Sequence, residues 1–174
     1  MGILTGALMG LVVAGIVCFI LLKVTKTDGK TKCRFDERQK TARGEAYKYA
    51  FWTETIGMLV YMLLLVIAPE LPIRPELGIL LVALLGIIVQ IFSSIRMGAY
   101  FAMNEKKKAL QIIFCWVGLI NILFGVASLL NGAAFEDGKL GLGSGNLFAG
   151  ILSLLVLWAT VFLPRENTDS EDGE

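Results

Sequence analysis

Cys33 to Glu54 reads CRFDERQKTARGEAYKYAFWTE, a polar segment between two runs too apolar for any setting but a bilayer. Its reading decides how the rest of the chain is threaded. Asp36 is placed to cap a helix, and Gln39 three residues on can answer it in a capping box, with Asp in place of the usual Ser or Thr. Asp36 and Lys40 stand at i,i+4 and Glu45 and Lys48 at i,i+3, acid before base, and each pair adds roughly 0.2–0.5 kcal/mol to a helix. No proline intervenes before Pro69. The expected polar helix over 36–48 therefore continues into an apolar span over 49–68, about 33 residues or ~50 Å at the standard rise. Gly44 is the one position suited to a hinge.

Composition sets the environment. The chain has 174 residues, is 56% hydrophobic and 18% charged, and has a mean hydropathy of +0.71. Soluble domains use roughly 45–50% apolar residues. With no His, the commonest general base and metal ligand is missing, which excludes His-dependent triads and HExxH zinc sites. Cys18, Cys33 and Cys115 show no CxxC spacing and read as two small buried residues and one loop thiol. No catalytic, cofactor or metal set is legible, so the expectation is a non-enzymatic protein without cofactor or metal.

Working outward, five runs are long enough to cross a hydrocarbon core: 3–22, 49–68, 77–97, 109–130 and 147–163. They form one expected domain over 1–163. The first run reads as a retained signal-anchor, since it lacks a positive n-region and a cleavage site. Gly2, Gly6, Gly10, Ala14 and Cys18 recur at every fourth position and offer a packing face, to a helix of this chain or of a second copy. PELPIRPE places prolines at 69, 72 and 75, which predicts a stiff extended connection between antiparallel spans. NGAAFEDGKLGLGSGN, 131–146, has five glycines and reads as a mobile loop. Its GLGSG lacks the strand and the GK[ST] of a phosphate cradle. The segment 164–174 is acidic and expected to be disordered.

Counting Lys and Arg orients the bundle. The connections after the first and third spans hold nine and four and the tail holds one, fourteen in all, against Arg74 and Lys139 on the other side. The positive-inside rule then gives an all-α bundle of five transmembrane helices, N-terminus out and C-terminus in, in a plasma membrane. Tyr47, Tyr49, Trp52, Tyr100 and Phe101 fall at the inner interface, where amphipathic rings are favoured. The basic linker Lys23–Arg34 would lie near anionic inner-leaflet lipids, at roughly 1 kcal/mol per basic residue, or serve topology alone.

FDERQKTARGEAYKYAFWTE resembles the D-E-R-Q-x-x-A-R-G-x-A-Y-K-Y-x-F motif of a group of small, uncharacterised multi-pass membrane proteins of Gram-positive bacteria. The resemblance covers about a tenth of the chain, marks Asp36, Glu37, Arg38, Gln39, Arg43 and Gly44, and implies a bacterial plasma-membrane protein. It implies no activity.

Ionisable groups inside a bilayer are functional candidates by default. Glu54 is expected ~7 Å into the second span, with Gln90 and Arg96 toward the far end of the third and Gln111 at the start of the fourth. These four could form an inward-facing polar pocket. Alternatively, Arg96 and Glu54 snorkel to the interface while the amides join helices. Asn121, near the middle of the fourth span, is the candidate for an interhelical hydrogen bond. The leading expectation is an accessory, regulatory or immunity-type component, with a membrane-protein partner or a homo-oligomer and no nucleic acid. The alternative is a small transporter or substrate-binding subunit using Glu54, Gln90, Arg96, Gln111 and Asn121.

Overall fold

A computed structural model describes residues 19–21, 23–28 and 32–163. The expected first span apart from 19–21, its face of Gly2, Gly6, Gly10 and Ala14, and the acidic tail lie outside the described residues. Over the rest the chain is mostly helical. Residues 19–21 and 23–24 are helical, and four long helices follow: α1 (Glu37–Ile67), α2 (Pro75–Arg96), α3 (Lys107–Leu130) and α4 (Gly145–Phe162). All four are long and apolar enough to cross a membrane, the last together with the 3-10 turn Leu142–Ser144 that leads into it.

The start of α1 follows its sequence signal. Gln39 N donates to Asp36 Oδ1 at 2.6 Å, and Asp36 N donates to Gln39 Oε1 at 3.4 Å, so the capping box is closed from both sides. The helix then runs 31 residues, through Gly44, from the polar segment into the apolar one. It stops where Pro69, past the Ala68 cap, has no N–H to continue the ladder. Helix α2 begins at Pro75, two residues earlier than expected, because a proline at the first helical position gives up an N–H that would have had no partner. Its other end is a Schellman turn: Gly98 takes φ 68°, Ala99 N donates to Ser94 O at 2.8 Å and Gly98 N to Ile95 O at 3.0 Å.

The helices form two antiparallel hairpins, α1 against α2 and α3 against α4, joined through α2 and α4. Between α1 and α2, Tyr61 is buried at 6% exposure and its hydroxyl donates to Pro75 O at 3.2 Å. Between α3 and α4 the backbones themselves approach. A Cβ on Gly150 would stand 2.8 Å from Ile122 N, closer than real Cβ contacts come, and 3.0 Å from Gly118 O. Small residues at such a crossing exchange side-chain volume for close helix contact. Outward faces are apolar, with Val66 80% and Leu130 84% exposed.

The stretch 131–146 is not the mobile loop that its glycines suggested. Phe135–Glu136 pairs with Lys139–Leu140 in a two-stranded hairpin closed by Asp137 at φ 52° and Gly138 at φ 74°. Both centre positions at positive φ are the geometry of a type I′ turn, for which Asp-Gly is a preferred pair. The hairpin is fastened to the proline connection: Leu140 N donates to Pro72 O at 2.9 Å, and Arg74 N to Leu140 O at 2.8 Å. Arg74 also meets Asp137 at 3.1 Å and Glu136 at 3.3 Å. The two connections at this end thus brace each other.

Candidate functional site

Among the described residues, the densest polar structure lies at the other end of the bundle, where residues 23–28 and 32–36 meet the connection 97–106. The segment expected as a linker is a strap in its described residues, 23–28 and 32–34. Lys26 and Glu105 face each other in an isolated antiparallel bridge. Lys106 N donates to Thr25 O at 2.8 Å, Thr27 N to Asn104 O at 2.9 Å, and Met103 N to Arg34 O at 2.8 Å. Asn104, 5% exposed, ties the strap from its side chain: Oδ1 accepts from Arg34 N at 3.0 Å, and Nδ2 donates to Lys32 O at 3.0 Å and to the Asp28 carboxylate at 3.1 Å.

At the centre is a buried ion pair. The Lys26 side chain has no exposed surface and that of Glu105 only 14%. The Lys26 ammonium meets Glu105 Oε1 and also donates to Cys33 Sγ at 2.9 Å, while Glu105 Oε2 accepts from Ala102 N at 2.8 Å. Burial pulls Lys26 down, but its hydrogen bonds to Cys33 and Glu105 and the Glu105 charge outweigh this and leave the ammonium above its ordinary value. For Glu105, burial pushes up, and the Lys26 and Ala102 hydrogen bonds with the Lys26 charge bring it below the usual carboxylate range. Burial, reinforced by the Glu105 charge, pushes the neighbouring Tyr100 up to about 12.

The DERQ motif docks against the same connection. Gln39 Nε2 donates to Gly98 O and to Phe101 O, each at 3.3 Å. Arg43 stacks 4.2 Å over the Phe35 ring and reaches Ala99 O at 3.5 Å and Tyr47 Oη at 3.2 Å. Ala46 and Ala99, both at 0% exposure, let the helix and the connection approach. The Asp36 carboxylate is committed to the cap, so Lys40 pairs with Glu37 at 2.5 Å rather than with Asp36 as its spacing suggested. Glu37, Arg38 and Gly44 face outward.

Of the residues proposed within the spans, Glu54, Gln90 and Arg96 lie on the paired helices α1 and α2, and Gln111 and Asn121 on α3. Glu54 on α1 lies against α2, where a Cβ on Gly86 would be 3.2 Å from Glu54 Oε2. The same carboxylate borders a groove of about 470 Å³ with Phe51, Thr55, Met58 and Leu59. Gln90 lies on α2 one turn beyond Gly86, its carbonyl accepting from Ser94 Oγ at 2.7 Å, and Arg96 is exposed in the last turn of the same helix. Gln111 Nε2 donates to Thr160 Oγ1 on α4 at 3.3 Å, an interhelical bond whose partner the sequence did not single out. Among the described residues Asn121 makes no bridge to another helix, contrary to expectation: its Nδ2 donates to Val117 O at 2.8 Å, because a short amide can satisfy itself on the carbonyl one turn back.

Chemically, the node joins an amine, a thiol and a carboxylate within contact distance, on segments that hold one another in place. Comparison of the chain with family models, with curated proteins and with solved structures gives no match.

Proposed function

We propose that the chain is a non-enzymatic, multi-pass component of a bacterial plasma membrane, an accessory, regulatory or immunity-type subunit that works through contacts made at its basic end. The proposed orientation is N-terminus out and C-terminus in. Its support is the fourteen-to-two division of Lys and Arg, together with the strap and the 97–106 connection lying at one end while Arg74 and Lys139 lie at the other. The outward apolar faces of the four helices suit lipid.

The observation that carries the contact reading is the division of the polar part of α1 into two faces. At 3.6 residues per turn, Gln39, Arg43, Ala46 and Ala50 fall on one side, and Glu37, Arg38, Lys40, Thr41, Glu45 and Lys48 on the other. The first set is used inside the molecule, whereas the second is exposed on a helix whose position the docked face fixes. A rigid charged face costs little ordering entropy when a partner or an anionic lipid surface meets it. Tagged protein extracted in mild detergent should migrate as a complex, with a partner or with itself, and Arg38→Glu with Lys48→Glu should dissolve it. Migration of the wild type as a monomer, with nothing co-purifying, would overturn the reading.

A second reading rests on Glu54 and its groove: a small transporter or substrate-binding subunit with Glu54, Gln90, Arg96, Gln111 and Asn121 as its polar residues. It predicts a ligand that raises thermal stability in the wild type and has no effect on Glu54→Gln.

A further inference from the structure

Lys26, Cys33 and Glu105 bring three reactive groups together at the centre of the strap, with the Lys26 nitrogen beside the sulfur of a half-buried cysteine. Lys26 Nζ stands 2.9 Å from Cys33 Sγ, and that sulfur stands 3.6 Å from Glu105 Oε1. The Lys26 side chain is fully enclosed, so its nitrogen cannot swing away from the sulfur. Cys33 is half-buried rather than enclosed. Two reacting atoms held inside 3–3.5 Å already have the separation that a near-attack arrangement requires.

We propose that Cys33 is an oxidative modification site at which Lys26 is the resolving nucleophile, giving a sulfenamide cross-link in the presence of a peroxide. In the first step the peroxide takes two electrons from the Cys33 sulfur: Cys–SH and H₂O₂ give Cys–SOH and water. In the second, as the Lys26 nitrogen forms its bond to the sulfenyl sulfur, one ammonium proton passes to Glu105, with which it is in contact, for relay to the departing hydroxyl. The S–O bond breaks, and the hydroxyl leaves as water with the proton that Glu105 holds. The nitrogen releases its remaining extra proton to solvent. The balance is Lys–NH₃⁺ plus Cys–SOH giving Lys–NH–S–Cys, water and H⁺, with no further electron transfer.

The cross-link has a structural consequence. The nitrogen it leaves is neutral, so the Glu105 carboxylate loses its cation while remaining largely enclosed. A buried charge without a partner is costly. Oxidation therefore ties the strap to itself between 26 and 33 and loosens its hold on 97–106, where the DERQ helix docks.

Full-length protein in detergent, treated with hydrogen peroxide and digested, tests this by mass spectrometry. The expected product joins the peptide holding Lys26 to the peptide holding Cys33 with loss of two hydrogens, about 2 Da below the sum, and is reversed by dithiothreitol. It should persist in Cys115→Ser and be absent from Cys33→Ser. In Lys26→Arg, whose guanidinium keeps the charge but is a poor nucleophile, Cys33 should instead be trapped by dimedone as the sulfenic acid. The wild-type fragment spectrum stands by itself should that variant fail to fold. Wild-type Cys33 found as a sulfenic or sulfinic acid beside an unmodified Lys26, as a disulfide with another cysteine, or unreacted would each overturn the proposal.

Discussion

Replacing Lys26 with Met keeps the length of the side chain and removes its charge, leaving Glu105 enclosed without its cation. Breaking a buried pair from one side costs about 3–5 kcal/mol, and the 14% exposure of Glu105 together with the Ala102 N–H places the expected cost in the lower half of that range. The strap is a local element, so the cost should appear as local opening rather than as loss of the bundle. At about 1.4 kcal/mol per factor of ten, amide exchange of Thr27, Arg34, Met103 and Lys106 should speed up by about 10²–10³. Those are the amides that the strap and the connection share. Leu140, whose N–H is bonded to Pro72 O at the opposite end, is the internal control and should not change. In the double variant Lys26→Met, Glu105→Leu no unpaired charge remains, and most of the protection should return. Unchanged exchange at Thr27, Met103 and Lys106 in Lys26→Met would refute the reasoning, and so would a double variant as labile as the single one.

Three further outcomes follow from the same geometry. The lowered carboxyl of Glu105 contributes stability above its unfolded value of 4.5 that is lost as pH falls through its lower folded value, while the raised ammonium of Lys26 contributes below 10.5 and is lost as pH rises through its higher folded value. Protection of the strap amides relative to their intrinsic exchange rates should therefore be greatest between these limits, and absorbance at the tyrosinate band should show a titration near 12 that vanishes in Tyr100→Phe. Asp36→Ala removes the Gln39 N–H partner and should destabilise the first turn of α1 by about 1 kcal/mol, read as faster exchange at Gln39 with apolar α1 unaffected. Gly150→Leu drives a side chain into Ile122 and Gly118 where the backbones touch, and should lower the detergent melting temperature of the α3–α4 hairpin by an amount equivalent to at least 1–3 kcal/mol, roughly the usual cost of overpacking.

The elements that the sequence made legible are those governed by local rules. The capping box at Asp36, the uninterrupted run to Ile67 and the apolar spans each depend on residues within a few positions of one another. The hairpin at 135–140 also has a local signal, Asp137-Gly138, but strands of two residues give no alternating pattern to support it, and five glycines in the segment point to a mobile loop. The strap was beyond local reading altogether. Lys26 looks like any basic linker residue until Glu105, 79 positions away, supplies its countercharge, and Asn104 gives no hint in sequence of the strap groups it holds. The DERQ motif shows the same division. Its capping role was readable from spacing, whereas the docking of Gln39 and Arg43 on residues 98–101 required the fold. Gln111 stands out in sequence as an amide within an apolar span, but its partner Thr160 lies 49 positions on and has an ordinary helical setting.

The central proposal is a bundle whose strapped, basic end faces the cytosol. On a background with Cys18, Cys33 and Cys115 replaced by Ser, single cysteines at Asp137, whose side chain is 90% exposed, and at Glu45 on the outward face of α1 report the two ends. A membrane-impermeant maleimide applied to intact bacteria should label the cysteine at 137, and should label that at 45 only after the membrane is opened. Labelling of position 45 in intact cells, with position 137 protected, would contradict the account.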